Sequence, residues 1–461
     1  MFRTLICAGA MGACLFATSA SAPVAHADRA EMAEWAPETF TLDNGMEVVV
    51  LPDHRAPVVT HMVWYRVGAV DELQGKSGIA HLFEHVMFQE TDDLAPGDFD
   101  EIVQRNGGQL NAFTSWDYTA YFERVAKDRL ELMMELEADR MRDLIINDDP
   151  QGAFITERDV VKEERRQRVE NNPGAILFER VMEKLYPDHP YGIPVIGHMD
   201  EVSALTPDDG LNFYNTWYSP DQAILVVAGD MTAEDVRPLA ERTYGQLEPT
   251  GADVRPDRGW GEVADISAIQ TLTYSDPKVR QPEWDRYYLA TSFTQDQDLA
   301  YALQVGLDVL GGGQTSLLYQ SLVEDKQVAV SASSWGWLTL HDRAPAGFSA
   351  SPAPGVTLDE LEETFMSEVA RILAAGLSEE DVARSRNSLA ATAIYARDSQ
   401  SGMANLYGRV LSIGGSVEDV LDYSDAIREV TAEEAIEALR TVFGDGNNHI
   451  NGRLLPAEMG Q

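Results

Sequence analysis

An α+β fold of two related αβ domains is what the sequence predicts, and three observations carry the prediction. A chain of 461 residues is too long for one ordinary hydrophobic core. Residues 248–261 carry two Pro and three Gly, the composition of a connection between domains. On either side of that stretch the same order recurs: a strand, a helix, and later two helices separated by a short break. The expected division is a signal peptide over 1–27, a first domain over 28–247, a linker over 248–262 and a second domain over 263–461.

In the first half, Thr41-Leu42-Asp43-Asn44-Gly45-Met46 suits a hairpin turn and residues 47–51 a strand. Residues 58–67, rich in β-branched and aromatic side chains, suit a second strand. Ser77 is placed to cap a helix running through 81–88. A long helix is expected over about 126–145. Another should run from a Thr156 cap to about Glu170, stopped by Asn171-Asn172-Pro173. Residues 223–228 close the half as a buried strand.

The second half repeats this plan. Residues 287–292 suit a strand, and 298–310 a helix ending in Gly311-Gly312-Gly313. No Lys-Ser/Thr follows those glycines, so a helix end with close packing is expected rather than a phosphate loop. Thr357 and Glu360 form a capping box for a helix stopping near Gly376, and Ser378 caps the next. Setting Thr156 against Ser378 places Glu164 opposite Arg386, which makes the second half a duplicate without metal ligands.

With 44% hydrophobic residues the chain is globular rather than disordered. Its 35 basic and 76 acidic residues give a formal net charge of −41, which excludes the basic footprint of nucleic-acid or anionic-membrane binding. A solvated acidic surface accounts for most of that charge, and neutral or basic peptides would be favoured over acidic ones. Arg3, the apolar run over 5–16 and Ala25-His26-Ala27 before Asp28 form a secretory signal with an A-x-A cleavage site. Cys7 and Cys14 both fall inside it, so the mature chain is expected to have neither disulfides nor thiol chemistry. No later run is apolar enough to span a bilayer. A soluble exported protein of the periplasm is the expected product.

His81 and His85 stand one helical turn apart, so both imidazoles project from one face and suit two nitrogen ligands of a tetrahedral Zn²⁺. Glu84 shares that turn and is placed to act as a general base without being a ligand, the H-x-x-E-H arrangement. Glu157 and Glu164 are two turns apart on one face of a later helix. Glu164 can complete a His₂Glu set, with Glu157 orienting a ligand imidazole. The plainer reading of the charged run over 162–168 is a salt-bridged, solvated face.

His81-Leu82-Phe83-Glu84-His85, followed by Glu157 and Glu164 in Glu-Arg-Asp-Val-Val-Lys-Glu-Glu, resembles the pitrilysin/insulinase family of inverted-zincin peptidases, relatives of the mitochondrial processing peptidase. The resemblance selects Glu164 over Glu163 and implies one Zn²⁺ per chain, with Glu84 as base. Gly107-Gly108 and Asn111-Ala112-Phe113-Thr114 resemble the family's edge strand, which makes Asn111, Ala112 and Phe113 the expected substrate-binding residues. His189-Pro190-Tyr191-Gly192 also resembles a family segment. Two αβ domains per chain and two chains closing as a clamshell over a chamber are implied, with extended peptides or unfolded segments as substrate.

One family feature is missing. The second domain usually contributes an Arg and a Tyr, seven residues apart, and those positions fall here on Val323 and Val330. A homologous subunit supplying both, in a heterodimer, is therefore expected, with any homodimer weakly active. The alternative is a largely structural subunit of a peptidase complex. His54, His61, His198, His341 and His449 are isolated and expected to be ordinary surface or core histidines; Trp116 and Tyr118 are expected to pack across strands, with lining of the substrate path as the alternative.

Overall fold

The computed structural model describes residues 36–149, 152–250 and 263–457. The expected signal peptide and most of the expected linker lie outside the described residues. The first half contains β1 (Glu38–Thr41), β2 (Glu47–Pro52), β3 (Val58–Tyr65), α1 (Ile79–Val86), α2 (Asp98–Arg105), β4 (Gln109–Thr114) and β5 (Thr119–Ala126). It continues with α3 (Leu130–Arg142), α4 (Ala153–Arg165), α5 (Pro173–Leu185), α6 (Pro207–Trp217), β6 (Ala223–Gly229) and α7 (Ala233–Arg242). The second half contains β7 (Gln270–Asp276), β8 (Glu283–Ala290), α8 (Gln297–Gly311), β9 (Ala329–Gly336), β10 (Ala344–Pro352) and α9 (Leu358–Ala375). Helices α10 (Glu379–Ala396), α11 (Gln400–Ser412), α12 (Val417–Glu429) and α13 (Ala432–Phe443) then lead to β11 (Ile450–Pro456).

The duplication is written in the sheets. Their orders are β1-β2-β6-β3-β5-β4 and β7-β11-β8-β10-β9. Setting β1 aside, each half inserts its last strand between its first two, parallel to the first and antiparallel to the second. Each also leaves its third strand, β4 or β9, at an edge that no other strand among the described residues covers. Helix α8 takes the place of α1 in this order, and no His lies in it.

Both faces of the first sheet are buried, which is why β6 reads Ala-Ile-Leu-Val-Val-Ala without alternation. Val48, Val50, Val63, Tyr65, Leu225 and Val227 face α1 and α3. Met62, Trp64, Ile224 and Val226 face the other way, against Ala404, Tyr407 and Leu411 of α11 from the second half. Gly408 permits that contact, since a Cβ there would sit 2.1 Å from the Trp64 ring. The reverse loan also exists: Leu177, Val181, Met182 and Leu185 of α5 join the core of the second half. Gly452 of β11 faces α5, while its neighbour Arg453 pairs with Asp359 and Glu362 of α9 on the opposite face. Each half thus roofs the other's sheet with one helix.

Several local expectations need correction. Residues 119–126 pair with β3, so the helix expected from Ala126 begins at Leu130. Helix α4 starts at Gly152 rather than at Thr156, whose backbone N–H donates to the Gly152 carbonyl. Its stop is as expected: it passes through a wide turn over Arg166–Glu170, and Asn172 then caps α5 with Pro173 as first residue. The Thr357–Glu360 box and the Ser378 cap are both present. Gly311 is a close-packing glycine, as expected, because a Cβ would lie 2.0 Å from Ser334 N.

Candidate metal centre

Helix α1 does not begin at a Ser77 cap. Gly78 precedes it with φ 85°, and the first N–H groups go to a buried carboxyl from the preceding turn. Glu72 Oε2 accepts from Gly78 N at 3.0 Å and Oε1 from Ala80 N at 2.9 Å, so a carboxyl side chain caps the helix N-terminus; burial pushes that carboxyl up and the two backbone bonds oppose the shift. The Ser77 hydroxyl instead accepts from His198 N.

On α1 the rings of His81 and His85 lie 5.1 Å apart, centre to centre. Glu164 of α4 reaches between them: its Oε2 is 3.7 Å from His81 Nε2 and 3.3 Å from His85 Nε2. These three side chains are, among the described residues, the one group of His, Cys, Asp or Glu whose donor atoms converge, all within 4.8 Å. Glu164 Oε2 is buried with no hydrogen-bond partner, although two imidazoles face it. A buried acceptor orphaned at the focus of two ring nitrogens fits a cation, and the N₂O donor set fits Zn²⁺. Glu163, by contrast, is exposed and pairs with Arg166 and Gln167.

The surrounding side chains fix these orientations. Glu157 Oε2 lies 3.3 Å from His85 Nδ1, and its Oε1 accepts from Gln89 Nε2 at 2.9 Å. Arg168 Nη1 holds Glu164 Oε1 at 2.6 Å, which leaves Oε2 for the cluster. Glu84 stays outside the cluster, and its Oε2 accepts from Thr114 Oγ1 at 2.6 Å. Burial pulls His81 down to about 4, so it is neutral. Burial also disfavours charge on His85, but the Glu157 and Glu164 carboxylates outweigh it and lift His85 to about 10. Glu164 is held at about 2 despite its burial, by the two imidazoles and Arg168. Burial raises Glu84, partly offset by the Thr114 hydroxyl and His85.

Strand β4, with Asn111, Ala112 and Phe113, is the free edge beside α1. Phe113 itself turns away and packs edge-on against Trp64 at 5.2 Å, so it offers the site its backbone and not its ring. Ala112 and Thr114 are the side chains on the α1 face. Val323 packs against the core of the second half, and Val330 on β9 is 46% exposed. The 189–192 segment joins the halves: Tyr191 OH, which donates to Asp117 within its own half, accepts from Asp342 N at 3.1 Å, and His189 Nε2 lies 3.2 Å from Asp342. Tyr118 packs on Trp64, the expected cross-strand role. His61 is a core histidine between Glu123 and Tyr244, and none of the other isolated histidines joins the cluster.

Sequence reasoning missed Thr114, Gln89, Arg168 and Glu72. Three of them had a readable signal. Gln89 and Arg168 each sit four residues after a site residue, and Thr114 shares the parity of Ala112 on its strand.

With this geometry in view, the likeness to known proteins falls into place. Residues 47–198 match the family model described as insulinase (peptidase family M16), and residues 204–389 match the peptidase M16 inactive domain. The zinc protease PqqE of Helicobacter pylori is 30% identical over 413 residues, covering 88% of this chain and 90% of that one. An uncharacterized zinc protease of Mycobacterium tuberculosis is 30% identical, covering 87% of this chain and 89% of its own. The crystal structure of a protease from Helicobacter pylori matches with a TM-score of 0.84 at 29% identity, over 91% of this chain and 99% of that one. The chain belongs to the insulinase family, peptidase family M16, as its His81–His85 segment had suggested.

Proposed function

We propose that this chain is a zinc-dependent endopeptidase that cuts extended peptides or unfolded segments. The observation that carries the reading is the convergence of His81, His85 and Glu164 beside a carboxylate, Glu84, that is held but not consumed by the cluster. One Zn²⁺ per chain, held by those three residues, would supply Lewis acidity for attack of water on a peptide carbonyl. Glu84 takes the water proton on Oε1, the oxygen Thr114 does not occupy, and passes it to the departing amine. Glu157 keeps the Nδ1 edge of His85 engaged so that Nε2 faces the cluster. The free edge of β4 takes the peptide by backbone pairing, which demands little of its sequence. Purifying the mature chain, measuring its zinc and assaying quenched peptides tests this; a zinc-free chain inert to every peptide refutes it.

Zinc uptake should be steeply pH-dependent. In the metal-free site His81 is neutral and Glu164 ionised, so the proton on His85 is the competitor. Below about 10 each unit of pH rise frees the site further, so affinity climbs up to about tenfold per unit from pH 6 to 9, with about one proton released per ion. Chelator competition across pH checks this, and a flat profile would mean His85 carries no such proton.

Catalysis is expected to be shared between two chains. Val323 and Val330 cannot donate a hydrogen bond, and loss of one oxyanion donor costs roughly a hundredfold or more. A homologous subunit with Arg and Tyr at those positions should raise turnover by at least that factor when added to this chain. Full turnover by the chain alone rules this out. An export signal over 1–27 would carry this chain to the periplasm with its mature terminus near Asp28, which N-terminal sequencing of exported protein checks.

A further inference from the structure

Two residues past the end of β4, the chain turns through Ser115 and Trp116, and this turn is held rigidly. Ala69 N and Val70 N donate to the carbonyls of Ser115 and Trp116, and Trp116 Nε1 donates to Ile193 O at 3.0 Å. The turn therefore moves with the segment whose Glu72 caps α1. In the second half the equivalent place, just past the free edge β9, is taken by Trp337. The two indoles meet, their ring centres 6.0 Å apart. Phe178 of α5 lies 5.6 Å from Trp337, and Trp335 lies 5.7 Å from it. Even so, Trp337 remains 41% exposed.

An indole with three aromatic neighbours and much of its surface still in water is an unfinished apolar contact. Its position says what finishes it. Thr114 holds the Glu84 carboxylate, so a peptide laid on β4 has its scissile bond opposite Thr114. Trp116 lies two residues further along the chain, in the turn that leaves the strand. We propose that Trp116 and Trp337, backed by Phe178 and Trp335, form a shelf that receives a bulky apolar side chain of the peptide, two to three positions from the bond cut. The inference rests on the peptidase reading and names the substrate class for that same site: peptides with an aromatic or large aliphatic residue there. Because Trp116 is fixed before binding, little ordering is needed when the side chain arrives.

The test uses the full mature chain as its zinc-loaded Glu84→Gln variant, which binds without cutting. Peptides that differ only by Phe or Ala at one position are titrated while tryptophan fluorescence is followed. Phe two or three places from the bond should tighten binding about tenfold, with a fluorescence change at the same midpoint. Adding Trp337→Ala should bring the two peptides within about twofold, while zinc content stays unchanged and the melt stays cooperative at a somewhat lower temperature. Phe and Ala peptides binding equally to the unaltered shelf, or a preference that survives Trp337→Ala, overturns the shelf. Cleavage by the wild-type chain is scored separately: cutting without preference sinks only the shelf, and neither cutting nor binding sinks the peptidase reading as well.

Discussion

Glu84→Gln is expected to keep its zinc and to lose peptide cleavage by roughly a hundred- to ten-thousandfold, because only the proton carrier goes. Its carboxylate touches Thr114 and stands outside the converging donors, so the amide can occupy the same place. His81→Ala, His85→Ala and Glu164→Gln should each lose the metal itself, since a three-ligand set cannot spare a member. Metal analysis beside a peptide assay separates the two outcomes. If Glu84→Gln also empties the site, the division of roles drawn above is wrong.

Residues 28–247 expressed alone should fail to fold into a stable unit. Without α11 the outer face of the first sheet would expose Met62, Trp64, Ile224 and Val226. Returning those four side chains to water forfeits on the order of 6–12 kcal/mol, which is comparable with the whole stability of a domain. The fragment would also carry α5, whose apolar face belongs to the other sheet. Expressed together with residues 263–461 it should recover a cooperative melt. A fragment that melts sharply by itself would show that the exchanged helices contribute little.

What was legible in the sequence was what helical periodicity and a family resemblance decide. Residues four and seven apart share a face whatever the fold, so His81 pairs with His85 and Glu157 with Glu164 by spacing, and it is the resemblance that brings the two pairs together. The caps of α1 and α4 were not legible, because Glu72 caps its helix from a buried turn and Gly152 carries no side chain to signal it. Residues 119–126 were misjudged near their end, because pairing with β3 carries the strand to Ala126 and delays the helix. The exchange of α5 and α11 could not be read at all. Their apolar stripes are ordinary, and nothing within a helix states which sheet will receive it. Phe113 was placed on the right strand, but its ring points to the face roofed by the second half.

The two free edges have a further consequence. Among the described residues, β4 and β9 each end their sheet with no further strand beside them. Open edges invite copies of the same chain to zip together, the route to aggregation that most sheet proteins block with bulges or edge lysines. Here a register shift that skips Val330 interrupts the β9 edge, and a formal net charge of −41 makes neighbouring copies repel one another over about a Debye length. The acidic surplus is then the colloidal guard of an unfinished sheet, opposing the stacking of identical chains edge to edge.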